Sequence, residues 1–467
     1  MAAPTPEMPL KGGAVAKEVQ GLYGLTPDLV TAILESLDAE DRARLEALIV
    51  PLHAADKADL LEMVTAEQRR TLVEVLRPEL DPEILADLDE TVRDEVIDRL
   101  STAELAAAVK ELDTDDAVYV IEDLDDEEKR VVLDAIPAHD RVALEEGLTY
   151  PENSAGRLMQ RDLVAAPANW TVGQTIDDLR ESEVLPDEFY EIFVVDPKRQ
   201  PVGTIPLDRL LRTKRPVELG HIMDEAPKLI PGDMDQEEVA YLFSRYRLTS
   251  AAVVDELGRL MGVITFDDVV EVIEEEAEED LMRLGGVAET DLREPLMRTT
   301  RNRFSWLLVN LMTAILASIV IWFFDSTIER IVALAVLMPI VASMGGNAGT
   351  QTMTVAVRAL ATKDLTPTNA LRAVAKEVTV GGVNGVLFAL LMGTIAWLWY
   401  RDPMLSVVIA AAMILTMLVA GLAGAVIPLL LSRARVDPAI AAGTFLTTVT
   451  DVVGFFVFLG LGALILL

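Results

Sequence analysis

Residues 439–467, AIAAGTFLTTVTDVVGFFVFLGLGALILL, form an apolar run that carries one acid, Asp451, near its middle. A bilayer core takes about 20 residues of helix, so this run is long enough to span it. A carboxylate at that depth costs about 2.5 kcal/mol or more on insertion scales, and such residues mark ion paths, proton relays or ligand counter-ions. The stretch therefore sets the fold class: a membrane body whose chemistry centres on Asp451.

Four further apolar runs precede it, at 304–324, 331–357, 379–400 and 404–432, which predicts five spans. Arg358, Lys363, Arg372 and Lys376 lie between the second and third spans, and Arg433 and Arg435 between the fourth and fifth. The opposite loops hold Arg330 and Arg401. The positive-inside bias predicts a cytosolic N-terminus and an external C-terminus. The second span reads PIVASMGGNAGTQT from Pro339 to Thr352. Asn347, Gln351 and the threonines there are expected to face a partner or water rather than lipid. Gly345 and Gly346 either loosen this helix beside an aqueous path or allow close helix packing. Thr447, Thr448 and Thr450 lie within a turn of Asp451 and can hold a hydrated ion with it.

The formal charge of -36 over 467 residues is uneven. From Arg301 onward ten bases stand against seven acids, a balance of +3, so residues 1–300 carry -39. Such a surface repels nucleic acid and attracts cations, or serves solubility alone. The chain has no cysteine, which excludes thiolate metal sites, disulfides and cysteine catalysis. Its histidines (His53, His139, His221) all precede the first span, which excludes a histidine zinc site in the membrane. The opening MAAPTPEMPLKGG lacks the apolar core of a signal peptide, so the N-terminal body is expected in the cytosol.

Residues 1–25 read as a flexible lead-in. Residues 26–150 alternate acidic or Pro-containing turns with helical apolar stripes, predicting an acidic superhelical domain that alone would suggest a protein-interaction solenoid. An internal repeat follows: Val194-Val195-Asp196, Gly203-Thr204-Ile205 and Asp208 recur as Val253-Val254-Asp255, Gly262-Val263-Ile264 and Asp267, each offset by 59. Each copy reads strand, turn, strand, helix start, and resembles a CBS domain, giving a tandem pair over 151–217 and 218–265. The second copy keeps Thr265 and Asp268, similar to the ribose-contacting Thr/Ser-x-x-Asp of nucleotide-binding CBS domains; the first has Pro206 and Arg209 instead. The pair is thus either an ATP site or purely structural. Residues 266–300 form an acidic helix and connector ahead of the transmembrane domain, 301–467. Like charges at i,i+4 weaken a helix, so this one is either solvated or invites a cation.

Three motifs together carry a wider resemblance: YPENSAGRLM before the CBS pair, PIVASMGGNAGTQT in the second span, and VDPA with TTVTDVVGF in the last. The chain resembles the MgtE family of magnesium channels and transporters over nearly its whole length. That resemblance implies a multidomain homodimer with an all-α N domain, an α/β CBS pair, a long plug helix and five transmembrane helices. It implies a Mg²⁺ pore lined by the second and fifth spans of both copies, at Asp451, Thr447, Thr448, Gly345, Gly346, Asn347 and Gln351. It implies closure by cytosolic Mg²⁺ at Glu83, Asp115, Glu237, Asp268, Glu271, Glu276, Glu279, Asp280 and Asp437, with Asp451 holding the conducted ion. It implies the plasma or inner membrane as location and no enzymatic activity. Three positions depart from the family: Arg247 and Tyr119 stand where acids are common, and Gly443 where an Asn occurs. Arg247 is expected to replace a regulatory ion by pairing with Asp437. A secondary transporter coupled to Na⁺ or H⁺, and a membrane-anchored Mg²⁺ sensor, are the competing readings.

Overall fold

A computed structural model describes residues 24–182, 185–186, 189–287, 296–434 and 436–467. Most of the expected lead-in (1–25), part of the connector after the plug helix, and Arg435 lie outside the described residues. The chain divides into two compact units, one ending at Ile273 and the other running Glu274–Leu467.

Among the described residues the first unit begins with ten α-helices: α1 (Pro27–Asp38), α2 (Arg42–Ile49), α3 (Ala54–Met63), α4 (Ala66–Leu76), α5 (Glu83–Ala86), α6 (Glu90–Ile97), α7 (Thr102–Glu111), α8 (Thr114–Ile121), α9 (Asp126–Ala135) and α10 (Ala138–Gly147). Their starts are written locally. Thr65 with Gln68 and Ser101 with Glu104 close capping boxes at α4 and α7, and Asp125 accepts from the N–H groups of Glu127 and Glu128 at α9. Because the helices are short, packing holds them more than propensity. Leu60, Leu61, Leu72, Ile84, Leu85, Val92, Val96 and Ile121 are buried in one continuous core. Each such side chain contributes about 1.5–3 kcal/mol. Arg93 is fully buried in the same body, with its Nη2 donating to Asp123 at 2.5 Å and its guanidinium stacked 3.9 Å from the centre of the Tyr119 ring.

Two small sheets follow, with α11 (Val172–Glu181) between the first two strands. The first sheet runs β1 (Ala165–Pro167), β2 (Glu191–Val195), β3 (Pro201–Pro206) and β4 (Asp224–Glu225), with α12 (Leu207–Arg212) after β3. The second runs β5 (Leu229–Pro231), β6 (Ser250–Val254) and β7 (Leu260–Thr265), with α13 (Gln236–Tyr246) between β5 and β6. In both, a parallel pair is followed by an antiparallel one, and both carry a register shift at the same place, Val194/Val195 and Val253/Val254. The turns repeat as well: Asp196 Oδ1 accepts from Lys198 and Gln200 N–H, and Asp255 Oδ1 from Leu257 and Arg259 N–H. The sequence repeat is thus a structural repeat, a CBS pair. α14 (Phe266–Leu284) starts at the end of β7 and is the predicted acidic plug helix.

The second unit holds α15 (Leu296–Phe323), the short α16 (Asp325–Arg330), α17 (Val332–Ala361), α18 (Ala370–Tyr400), α19 (Pro403–Arg433) and α20 (Pro438–Leu466). Among the described residues five of its helices are long and apolar enough to cross a membrane. α19 packs against α17, α18 and α20, and buries Val408, Ile409, Ala412, Met413, Met417 and Ala420. α15 packs on α20 and buries only Ala317, leaving Leu307, Leu311, Ile315 and Ile319 exposed, which suits lipid.

Candidate ion path and ion-sensing sites

α17 has two faces. Leu334, Leu337, Val341, Gly345, Gly349, Met353 and Val357 are buried, whereas Ser343, Asn347, Thr350, Gln351 and Thr354 are exposed. A polar stripe at helical spacing cannot face hydrocarbon; it needs a water-filled path or a partner. Gly346 is open, with no heavy atom within 4 Å of a Cβ built on it. Gly345 is not a lining residue as expected: a Cβ there would lie 2.6 Å from Cγ2 of Thr416, so the missing side chain lets α17 and α19 close up.

α20 carries the matching stripe. Thr447 is exposed, and Thr444, Thr448 and Asp451 are half-buried. Thr450 departs from the expected ion-facing role, being 1% exposed. The hydroxyls of Thr447 and Thr448 donate to the carbonyls of Gly443 (2.9 Å) and Thr444 (2.7 Å). Their oxygens keep acceptor capacity for the water shell of a cation. The Asp451 carboxylate has no hydrogen-bond or ion-pair partner among the described residues. Two membrane contacts are not legible in the sequence. Glu377 of α18 is half-buried and accepts from Thr352 of α17 at 3.4 Å, and Thr444 donates to Oδ1 of Asn310 in α15 at 3.1 Å.

In the first unit the structure brings Asp115 of α8 together with Asp268, in the first turn of α14. Asp115 is 8% exposed, and its Oδ1 is buried without a hydrogen-bond partner. Burial first, then the charges of Asp268, Asp116 and Asp113, push its carboxyl well up. Asp116, which the sequence reading passed over, is raised to about 7 by burial and then by Asp268, Asp113 and Glu271. Asp268 is raised to about 6, chiefly by burial, although hydrogen bonds from Thr265 oppose the shift. The charges that act most on Asp115 and Asp116 are all acidic, so a cation is the chemistry this pocket lacks. An orphaned buried carboxylate oxygen fits that role. Among the described residues no three acids or histidines converge closely enough to ligate one ion directly.

The other expected metal residues are distributed differently. Glu83 opens α5, which packs on α8, and its charge acts on Asp87, which in turn acts on Asp116; Glu237 is exposed at the start of α13. In the second unit Glu276 and Asp437 lie near Asp280. Asp437 caps α20 by accepting from Ala439 N–H (2.7 Å), and its other oxygen accepts from Arg283 (2.5 Å). The cation on Asp437 comes from the plug helix itself. Arg247 is exposed and ends α13 in the left-handed region, φ 55°.

Thr265 donates its hydroxyl to Asp268, and Gln160 Nε2 lies 3.5 Å from Thr265 Oγ1. Gln160 and Thr265 border a cleft lined also by Phe189, Tyr190, Glu191, Ser250 and Asp162. Aromatic and hydroxyl groups suit a nucleoside, but Asp162 and Glu191 do not suit its phosphates.

A five-helix membrane body with a polar-striped helix pair and an acid without a partner among the described residues, joined to an acidic helical domain and a CBS pair, defines a membrane transporter for cations, not an enzyme. The divalent cation transporter family (MgtE) matches residues 338–461, the MgtE intracellular N domain 52–153 and the CBS domain 219–275. The magnesium transporter MgtE of Thermus thermophilus is 31% identical over 94% of this chain and 98% of its own. That of Bacillus subtilis is 26% identical over 89% and 92%. The crystal structure of the cytosolic domain of the Mg²⁺ channel MgtE in complex with ATP is 29% identical, with a TM-score of 0.48 over 52% of this chain and 99% of that one. The chain belongs to the MgtE family of magnesium transporters.

Proposed function

We propose that the protein is a Mg²⁺-selective channel for uptake that cytosolic Mg²⁺ closes. The observation that carries this reading is the paired polar stripe on α17 and α20, with a carboxylate lacking a partner among the described residues. A homodimer meets that need: two copies set Asp451 opposite Asp451, with Thr447, Thr448, Gly346, Asn347 and Gln351 along the path. Mg²⁺ sheds water slowly, so two carboxylates and threonine oxygens hold it through its hydration shell, and the pore width discriminates by size. Asp115, Asp116, Asp268 and Glu271 act as the sensor. Metal-free, their mutual repulsion disfavours the packed arrangement of residues 26–150 with the start of the plug; bound Mg²⁺ removes it. Glu83, Glu237 and Glu276 are auxiliary acids of the same regulation. Arg358, Lys363, Arg372, Lys376 and Arg433 support a cytosolic N-terminus and an external C-terminus in the plasma or inner membrane. ATP at the Thr265/Asp268 cleft is a secondary element, its nucleoside end better provided for than its phosphates.

The test is patch-clamp of the full chain in liposomes over a series of cytosolic-side Mg²⁺ concentrations, for the natural protein and Asp451→Asn. Two carboxylates a few ångströms from a divalent ion supply several kcal/mol, so the variant is expected to lose about a hundredfold in Mg²⁺ current. Undiminished current removes the pore assignment. Flux that requires a Na⁺ or H⁺ gradient favours the coupled transporter, and absence of flux favours the sensor.

A further inference from the structure

The plug helix ends where the sequence offers a metal site, in a ring of acids already holding a cation. Arg283, in the last turn of α14, donates from Nη1 to Asp437 Oδ2 at 2.5 Å and pairs through Nη2 with Glu279, one turn back. Asp280 is half-buried beside Asp437 and Glu276. Both oxygens of Asp437 are committed, one to Arg283 and one to the N-cap of α20.

Two neighbouring contacts secure the same helix end. Leu284 packs against Met353, Val357, Ala423, Ala439 and Leu446, which belong to α17, α19 and α20. The chain then leaves α14 through Gly286 at φ +70°, where a Cβ would lie 2.1 Å from Nε1 of Trp306 in α15. Only glycine suits both that conformation and that approach.

We propose that Arg283 is a resident cation that takes the place of a regulatory divalent ion and holds the plug helix toward the start of pore helix α20, a bias toward closure whose size does not depend on Mg²⁺. This rests on the gated-channel reading above and deepens it. A guanidinium is always charged, and its fork fits carboxylates. Being intramolecular, its local concentration does not change with the cell's supply. A Mg²⁺ ion would have to displace it from oxygens already in use. The tether is therefore ion-blind, and the ion-responsive end of α14 is its first turn, at Asp268. Arg283 is a positioning residue: it acts on the pore through Asp437.

The experiment is patch-clamp of the full-length channel in liposomes against cytosolic-side Mg²⁺, for the natural protein, Arg283→Gln, Arg283→Lys and Asp437→Asn, with a melting temperature for each. Removing the resident charge frees Glu279 and Asp437 for Mg²⁺ and removes the fixed bias toward closure, so Arg283→Gln is expected to close at about fivefold higher Mg²⁺ and along a steeper curve. A merely structural loss would not steepen it. Arg283→Lys restores the natural curve. Asp437→Asn keeps the cap but loses the pair, and raises the midpoint. An Arg283→Gln curve matching the natural one overturns the tether. Should Arg283→Gln fail to fold, an Asp437→Asn midpoint at the natural value overturns it instead. A natural protein that conducts but closes at no Mg²⁺ concentration overturns the gating reading, not the tether geometry.

Discussion

Two acid-rich neighbourhoods of this molecule look alike in sequence and differ in physics. Around Asp115, Asp116 and Asp268 the dominant charges are all acidic, carboxyls are lifted toward neutrality, and one buried oxygen has no partner. Around Glu279, Asp280 and Asp437 a guanidinium of the same helix sits among the acids. A cluster of carboxylates has to be neutralised by a proton, an internal base or an outside ion. The second cluster carries its answer in the chain. The first leaves the choice to solution, which is what an ion sensor requires.

Exchanging these roles tests the contrast most severely. Glu271→Arg would give the first cluster its own guanidinium beside Asp116 and Asp268. Such a channel is expected to close without Mg²⁺, its midpoint falling by about a hundredfold in patch-clamp titration, equivalent to about 2.7 kcal/mol of permanent bias. A midpoint left at the natural value would mean that this cluster is not the sensor. A smaller effect is expected from Asp115→Asn, which removes the orphaned charge while keeping the shape. One lost charge-assisted contact corresponds to about a tenfold rise in the Mg²⁺ needed for closure. The same substitution should leave the open-channel current unchanged, since Asp115 belongs to the first unit.

The sequence makes the fold legible because its signals are periodic. Apolar runs of bilayer length, an exact-offset repeat over both strand pairs, and capped short helices each read locally. Asp451 is legible for a similar reason, since a charge in an apolar run stands out. What stayed hidden depends on which side of a helix a residue takes. Gly345 and Asn347 share one motif, yet one packs inward on Thr416 and the other stays exposed. Asp116 was missed because it adjoins Asp115 in the sequence, and only burial distinguishes both from the many acids on the surface. Arg283 was missed because the plug helix reads as acidic, so its lone base near the end looked incidental. Arg247 drew attention instead because it departs from a family pattern, a signal that does not reveal what Asp437 touches.

A last, smaller effect concerns protons. Asp116 and Asp268, near 7 and 6 in the folded protein, would both sit near 3.8 when exposed in the unfolded chain. Raised carboxyl values mean that the folded state binds protons more tightly. Their contribution is then fully present below the unfolded value and is lost as pH rises through the folded ones, between about pH 4 and pH 7. Glu104, lowered to about 2 by Arg77 and Ser101, works in the opposite direction but only below the ordinary carboxylate range, so the windows separate. Mg²⁺ competes with the same protons. The metal-free full-length protein should therefore lose melting temperature between about pH 4 and pH 7, and added Mg²⁺ should raise that temperature more at the higher pH. Asp116→Asn should flatten the pH slope of the metal-free protein. An Mg²⁺ shift equal at both pH values would mean that ion and protons occupy different groups, and the contrast with the Arg283 cluster would lose its basis.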